Sequence, residues 1–262
     1  MRLELLKWPE LDAVRGKVFV LPLGSLEQHG RHLPLMTDTA IVTEIAGRIE
    51  RAAPQDVVLV PTVWTGHSPH HDHFGAISLD VRPYMDLVGS VCRSLVGMGA
   101  RKILLLNGHG GNDVPTKAAL REIKSEFRTI QDLYFVYAAY WTLASDAFGH
   151  IRRSPPGGMG HACEMETSVM LAIHPDAVDL REAVEGGPRN EGKYRRLDML
   201  HGQPYFIVND FHELSASGTI GQPQLASSAQ GERFLEAAVE AVLDLIREVA
   251  TWDYQSARRS DT

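Results

Sequence analysis

The stretch VFVLPLGSLEQHGRHLPLMTDT, residues 18–39, decides the fold. Its first six residues, Val18–Leu23, are apolar without alternation, as in a strand buried on both faces of a parallel sheet. The strand runs directly into a polar loop from Gly24 to Gly30. A helix over residues 39–51 follows, with Ile41, Val42, Ile45, Ala46 and Ile49 at helical spacing. The same order returns in KILLLNGHGGN, residues 102–112: a strand over 103–106, a glycine-rich polar loop, then a helix over 114–127. Further out, strands over 57–60 and 133–138 and helices over 82–98, 163–173 and 230–249 complete the alternation. Alternating strand and helix predicts an α/β domain with a mostly parallel sheet. Residues 182–225, rich in Gly, Pro and polar groups, read as an irregular insertion and a candidate oligomer contact. The domain is expected over residues 1–255, with 256–262 as a frayed tail.

The 262 residues, 44% hydrophobic and 23% charged, have ordinary globular composition and enough length to bury a sizeable core. A net charge of -7 argues against binding a nucleic-acid backbone, which needs a positive surface. The longest apolar runs fall far short of the roughly 18 residues of a membrane span. The opening MRLELLKWPELD is charged throughout, unlike a secretory signal. Two cysteines, Cys92 and Cys163, cannot make a disulfide framework. The expectation is a cytoplasmic protein without nucleic-acid or membrane partners.

Nine of the twelve histidines fall in clusters before residue 162: His29 and His32, then His67, His70, His71 and His73, then His109, then His150 and His161; the stretch after residue 175 has only His201 and His212. Open α/β sheets bind ligands outside the carboxyl ends of their strands, so Glu27, His29, Asp38 and His109 should converge at one edge. Glu27 and His29, two apart in an extended segment, point to one face. Carboxylate and imidazole suit Zn²⁺, Mn²⁺ or Fe²⁺, and one aspartate, Asp38, can bridge two such ions. Gly108, Gly110 and Gly111 allow a tight backbone around His109. A plain tight turn is the bland reading of NGHGGN; the phosphate-loop patterns GxxxxGK[ST] and GxGxxG are absent. In GHACEMETS, residues 160–168, Glu164 and Glu166 point roughly 200° apart on a helix. Glu164 reads as a complement to the helix dipole. Glu166, among Met165, Val169 and Met170, needs a partner that a metal would supply. GHSPHHDHF, residues 66–74, reads as a pocket-lining loop rather than a second metal centre, and Cys163 as packing.

Taken in order, GSLEQHGRHLPLMTDT, GHSPHHDHFGAISL, NGHGGN and HACEMETS resemble the creatininase (creatinine amidohydrolase) family, in its NGHGGN branch. The resemblance implies a single-domain three-layer α/β/α sandwich and a homohexamer. It also implies two divalent metal ions per subunit, Zn²⁺ with Mn²⁺, Fe²⁺ or a second Zn²⁺. Glu27 resembles the carboxylate on the first, exchangeable metal, and His109 its nitrogen ligand. Asp38 resembles the bridging aspartate, His29 the imidazole on the second metal, His161 the proton-shuttling histidine, and Glu166 the family's ETS glutamate. Ser68, His71, Gly110, Gly111 and Trp141 are expected to contact substrate. One departure stands out. Creatininase has a glutamate ligand two residues after its NGH histidine, where this chain has Gly111; Glu166 is expected to fill that place. Residues 155–160 also lack a tryptophan to cover a flat heterocycle, which argues against creatinine as substrate.

The chemistry implied is attack of a metal-bridged hydroxide on the carbonyl of a small, cyclic amide, with protonation of the leaving nitrogen by His161. Backbone N–H groups of Gly110 and Gly111 would stabilise the oxyanion. A serine nucleophile is the weaker reading, because no G-x-S-x-G elbow occurs. Two alternatives remain: a C–C bond hydrolase acting on a cyclic ketone in inositol or modified-sugar catabolism, and a non-catalytic metal-binding assembly protein.

Overall fold

Val18–Leu23 forms β1, with all six side chains buried. The structure, a computed structural model, describes residues 1–188, 194, 197–201 and 205–253; the expected tail over 256–262 lies outside them. In chain order the strands are β1, β2 (Leu26–Glu27), β3 (Val57–Leu59), β4 (Ala76–Ile77), β5 (Lys102–Asn107), β6 (Tyr134–Ala139), β7 (Met159–His161) and β8 (Ile220–Gly221). The helices are α1 (Thr37–Ala52), α2 (Val81–Gly97), α3 (Asp113–Glu126), α4 (Tyr140–Leu143), α5 (Ser145–Ile151), α6 (Glu164–Ile173), α7 (Phe211–Leu214) and α8 (Ser228–Thr251). Four strands make one parallel sheet in the order β3-β1-β5-β6.

Alternate side chains of the sheet enter two cores. Val18, Val20, Leu104 and Leu106 pack with α1, α6 and α8. Phe19, Leu21, Leu23, Ile103 and Leu105 pack with α2 and α3. The result is the expected three-layer α/β/α sandwich. Each fully buried aliphatic side chain contributes about 1.5–3 kcal/mol of transfer free energy. Among the described residues no helix is long and apolar enough to cross a membrane.

The register places the site. Leu23 pairs with Asn107, and Asn107 with Ala139, so three chain segments leave the sheet at one level. The Gly108 N–H donates to the Leu23 carbonyl at 2.8 Å, fastening two of the loops together. A Cβ on Gly108 would come within 2.7 Å of Val42 Cβ, so the loop needs glycine to lie against α1. Two small antiparallel pairs finish this edge. In β2–β4, Glu27 pairs with Ala76, and in β7–β8, His161 pairs with Ile220. Within residues 182–225, β8 is built into this edge.

The outer layer depends on a close backbone approach. A Cβ on Gly231 of α8 would sit 1.9 Å from the Ser168 carbonyl oxygen of α6. Backbone on both sides leaves no flexible atom to give way. Gly231→Ala is expected to cost about 1–3 kcal/mol by overpacking, lowering Tm by roughly 2–4 °C per kcal/mol in a thermal melt. An unchanged Tm would mean that the helices separate freely.

Candidate metal centre

Three elements bring the side chains together. Glu27 comes from β2, His109 from the turn after β5, and Asp38 from the first turn of α1. His109 Nδ1 lies 3.1 Å from Glu27 Oε1 and 3.0 Å from Asp38 Oδ2. The other Asp38 oxygen, Oδ1, lies 3.0 Å from His29 Nε2, and Glu166 Oε1 is 4.0 Å from that same nitrogen. Asp38 therefore faces both imidazoles, one with each oxygen. Glu27, Asp38 and His109 form one compact donor set, and His29, His161 and Glu166 another, each with its ligand atoms within 4.8 Å of one another.

The donors are held from behind. His29 Nδ1 donates to the Glu27 carbonyl at 3.1 Å, which turns Nε2 toward Asp38. Ser25 Oγ donates to Glu27 Oε2 at 2.9 Å. The Cys163 N–H donates to Glu166 Oε2, leaving Oε1 to face His29. Glu164 turns away, as helical spacing requires. It accepts from the Arg153 and Ser154 N–H groups and from Gln230 Nε2, so it ties down a loop rather than only meeting the helix dipole.

Two carboxylate oxygens test whether the set suits a cation. Glu27 Oε1 and Asp38 Oδ2 are buried without a hydrogen-bond partner, although His109 Nδ1 is close to both. Buried oxygens in that condition are costly unless something positive meets them. Ionisation tells the same story. Burial works against a charged His29, but the Asp38 carboxylate, with Glu166 and Glu27 behind it, outweighs this and raises the imidazole to about 9. Burial likewise opposes charge on His109, yet Glu27 and Asp38 raise it well above its ordinary value. Burial pushes Glu166 up to about 7, opposed by the His29 charge and reinforced by Asp38. Protons on these groups do what a cation would do, and binding a cation must expel them. His161 and His71 are driven the other way, by burial first and then by neighbouring imidazoles, and stay neutral.

Glu27, Asp38, His109, His161 and Glu166 line one cavity of about 250 Å³, with His29 fully buried behind them. Its walls include the expected His71, Gly110, Gly111, Trp141 and His161. Ser68 lies elsewhere: fully buried behind His109, with its Oγ 3.1 Å from His109 Nε2. Gly111 has no room for a side chain, since a Cβ there would meet the His67 carbonyl oxygen at 2.2 Å and His109 Nε2 at 2.5 Å. Sequence reading missed Phe211 of α7, whose ring centroid lies 4.0 Å from that of His71 and 4.5 Å from that of His161. It also missed Met199 on the cavity wall and Gln28 between the two histidines. Gln28 sits inside a motif already singled out, and its position between Glu27 and His29 was the available signal. Cys163 and Cys92 are buried, and burial raises both thiols, Cys92 to about 12, so both pack as thiols.

The family model described as creatinine amidohydrolase matches residues 4–246. The chain belongs to the creatininase family. It is 32% identical to a creatinine amidohydrolase of Pseudomonas putida, over 93% of this chain and 95% of that one. It is 33% identical to a mycofactocin precursor peptide peptidase of Mycolicibacterium smegmatis, over 87% and 83%. A 3-dehydro-scyllo-inosose hydrolase of Thermotoga maritima is 27% identical, over 88% and 77%. A solved structure described as "Creatininase Mn" superposes with a TM-score of 0.78 at 30% identity, covering 96% of this chain and 99% of that one. This member of the creatininase family is accordingly a hydrolase, and the expectation of a non-catalytic assembly protein is set aside.

Proposed function

We propose that this creatininase-family hydrolase is a dimetal amidohydrolase. Glu27, Asp38 and His109 would hold one divalent cation, and His29, Asp38 and Glu166 a second. The observation that carries this reading is Asp38, whose two oxygens face two imidazoles while Oδ2 and Glu27 Oε1 lack hydrogen bonds. Nitrogen and oxygen donors of this kind suit Zn²⁺ with Mn²⁺, Fe²⁺ or a second Zn²⁺. When bound, such a pair supplies Lewis acidity, lowering the pKa of water from about 15.7 towards 7 and polarising a carbonyl.

The chain supplies the rest. His161 Nε2–H donates to the Gln28 carbonyl at 2.8 Å, which leaves Nδ1 as its free acceptor, and the ring lines the cavity. Nδ1 is the atom that takes a proton and returns it to the leaving nitrogen, without which an amide does not depart. Gly110 and Gly111 bring backbone beside the reacting carbonyl, where N–H groups oppose oxyanion charge. Trp141, Met199 and Phe211 wall off water, and the cavity volume fits a small, cyclic amide. The reading extends to a cytoplasmic homohexamer acting on a small molecule.

A C–C hydrolase acting on a cyclic ketone would use the same site, and the similarity to an inosose hydrolase favours testing it. A panel of cyclic amides, formamides, short peptides and ketosugars, with product analysis, separates the two. Amide cleavage liberates an amine, whereas C–C cleavage yields only a carboxylate. Chelation is expected to abolish turnover, and Zn²⁺ or Mn²⁺ to restore it. Turnover by a verified metal-free sample would overturn the reading.

A further inference from the structure

Beyond the two sets already described, Glu27, His71 and His161 form a third group of donors within ligand range of one another. The hydrogen bonds around Gln28 decide whether His71 can serve in it. Gln28 is buried, and its Oε1 accepts from the Gly30 N–H at 2.9 Å, which fixes the amide's orientation. Its Nε2 must then face the other way. There it lies 2.9 Å from His71 Nδ1, 3.2 Å from the Gly218 carbonyl oxygen and 3.2 Å from His161 Nε2; the His161 Nε2 proton goes to the Gln28 backbone carbonyl at 2.8 Å, so the two amide hydrogens serve His71 and Gly218. Gly218, at φ +79°, leaves no slack, since a Cβ there would meet Gln28 Oε1 at 2.1 Å. An amide nitrogen only donates, so His71 Nδ1 must be an acceptor, and the ring proton of a neutral His71 must sit on Nε2. His71 Nε2 lies 3.1 Å from Glu27 Oε1.

We propose that Gln28 is a positioning residue that locks His71 with its proton on Nε2, making His71 an N–H donor into the site and barring it from ligating a cation. The third donor group is therefore not a metal site. The same residue sets the opposite role for His161: its Nε2–H is spent on the Gln28 carbonyl, so its bare Nδ1 faces the cavity. One glutamine thus presents a donor and an acceptor to the cavity. The Nε2–H of His71 lies 3.1 Å from Glu27 Oε1 without the geometry of a hydrogen bond, so it leaves that oxygen to a cation while its dipole favours the charge on the Glu27 carboxylate. That consequence rests on the dimetal reading above; the position of the proton does not.

Histidine-selective ¹⁵N labelling with long-range ¹H–¹⁵N correlation reads the proton directly, in the metal-free and the Zn²⁺-loaded protein. The expected spectrum shows His71 protonated on Nε2 and bare on Nδ1 in both. A proton on Nδ1, or on both nitrogens, would overturn the proposal. In Gln28→Glu, which keeps the shape and removes both donors, the His71 proton is expected to move to Nδ1. With activity assayed on a substrate from the panel, kcat should fall about 10- to 100-fold with KM nearly unchanged. An unchanged tautomer in that variant would remove Gln28 as its cause. Should wild type show the expected tautomer yet bind no Zn²⁺, the dimetal reading fails and this assignment stands.

Discussion

Asp38→Ala is expected to lose both metal ions and, with them, turnover. Among the described residues Asp38 is the one carboxylate that lies within 3.0 Å of both His29 and His109. Its removal leaves each half-site with one carboxylate and one imidazole, Glu27 with His109 and Glu166 with His29. Elemental analysis of the dialysed protein should find neither ion retained. The fall in kcat/KM should be roughly 10³-fold or more, a loss of about 4 kcal/mol at 1.36 kcal/mol per tenfold. Asp38→Asn, which keeps the size of the side chain and removes its charge, guards against misfolding and should behave likewise. Retention of one ion by both variants would mean that the half-sites are independent and that Asp38 does not bridge.

His161→Ala is expected to do the reverse: metal stays and turnover goes. His161 reaches the cavity with Nδ1 free, while Glu27, His29, Asp38, His109 and Glu166 supply the donors without it. Loss of a positioned acid–base group costs about 10²- to 10⁴-fold in kcat. Steady-state kinetics on the same metal-loaded preparation would measure this, with metal content as the control. A full rate would dismiss the shuttle role. Loss of an ion would make His161 a ligand of the set it shares with His29 and Glu166.

The architecture was legible where the chain repeats a physical pattern. Uninterrupted apolar runs at β1 and β5, each followed by glycines and a helix, specified the parallel sheet and the edge at which Glu27, Asp38 and His109 meet. Elements of two residues were not legible, because β2, β4 and β8 are too short to carry a period. The placement of Phe211 was hidden for another reason. It arrives on a four-residue helix within residues 182–225, held against His71 and His161 by long-range packing that no local propensity encodes. Ser68 shows the converse: a polar residue in a loop of the right composition, turned inward to steady His109 instead of facing the cavity. Glu164 and Glu166 were separable in advance, because a two-residue step on a helix cannot serve one site twice.

Two cations that share Asp38 would be located by anomalous diffraction from crystals of the Zn²⁺- or Mn²⁺-reconstituted protein. Two peaks per chain are predicted, one among Glu27, Asp38 and His109, the other among His29, Asp38 and Glu166. A single peak, or peaks away from these residues, would contradict that sharing.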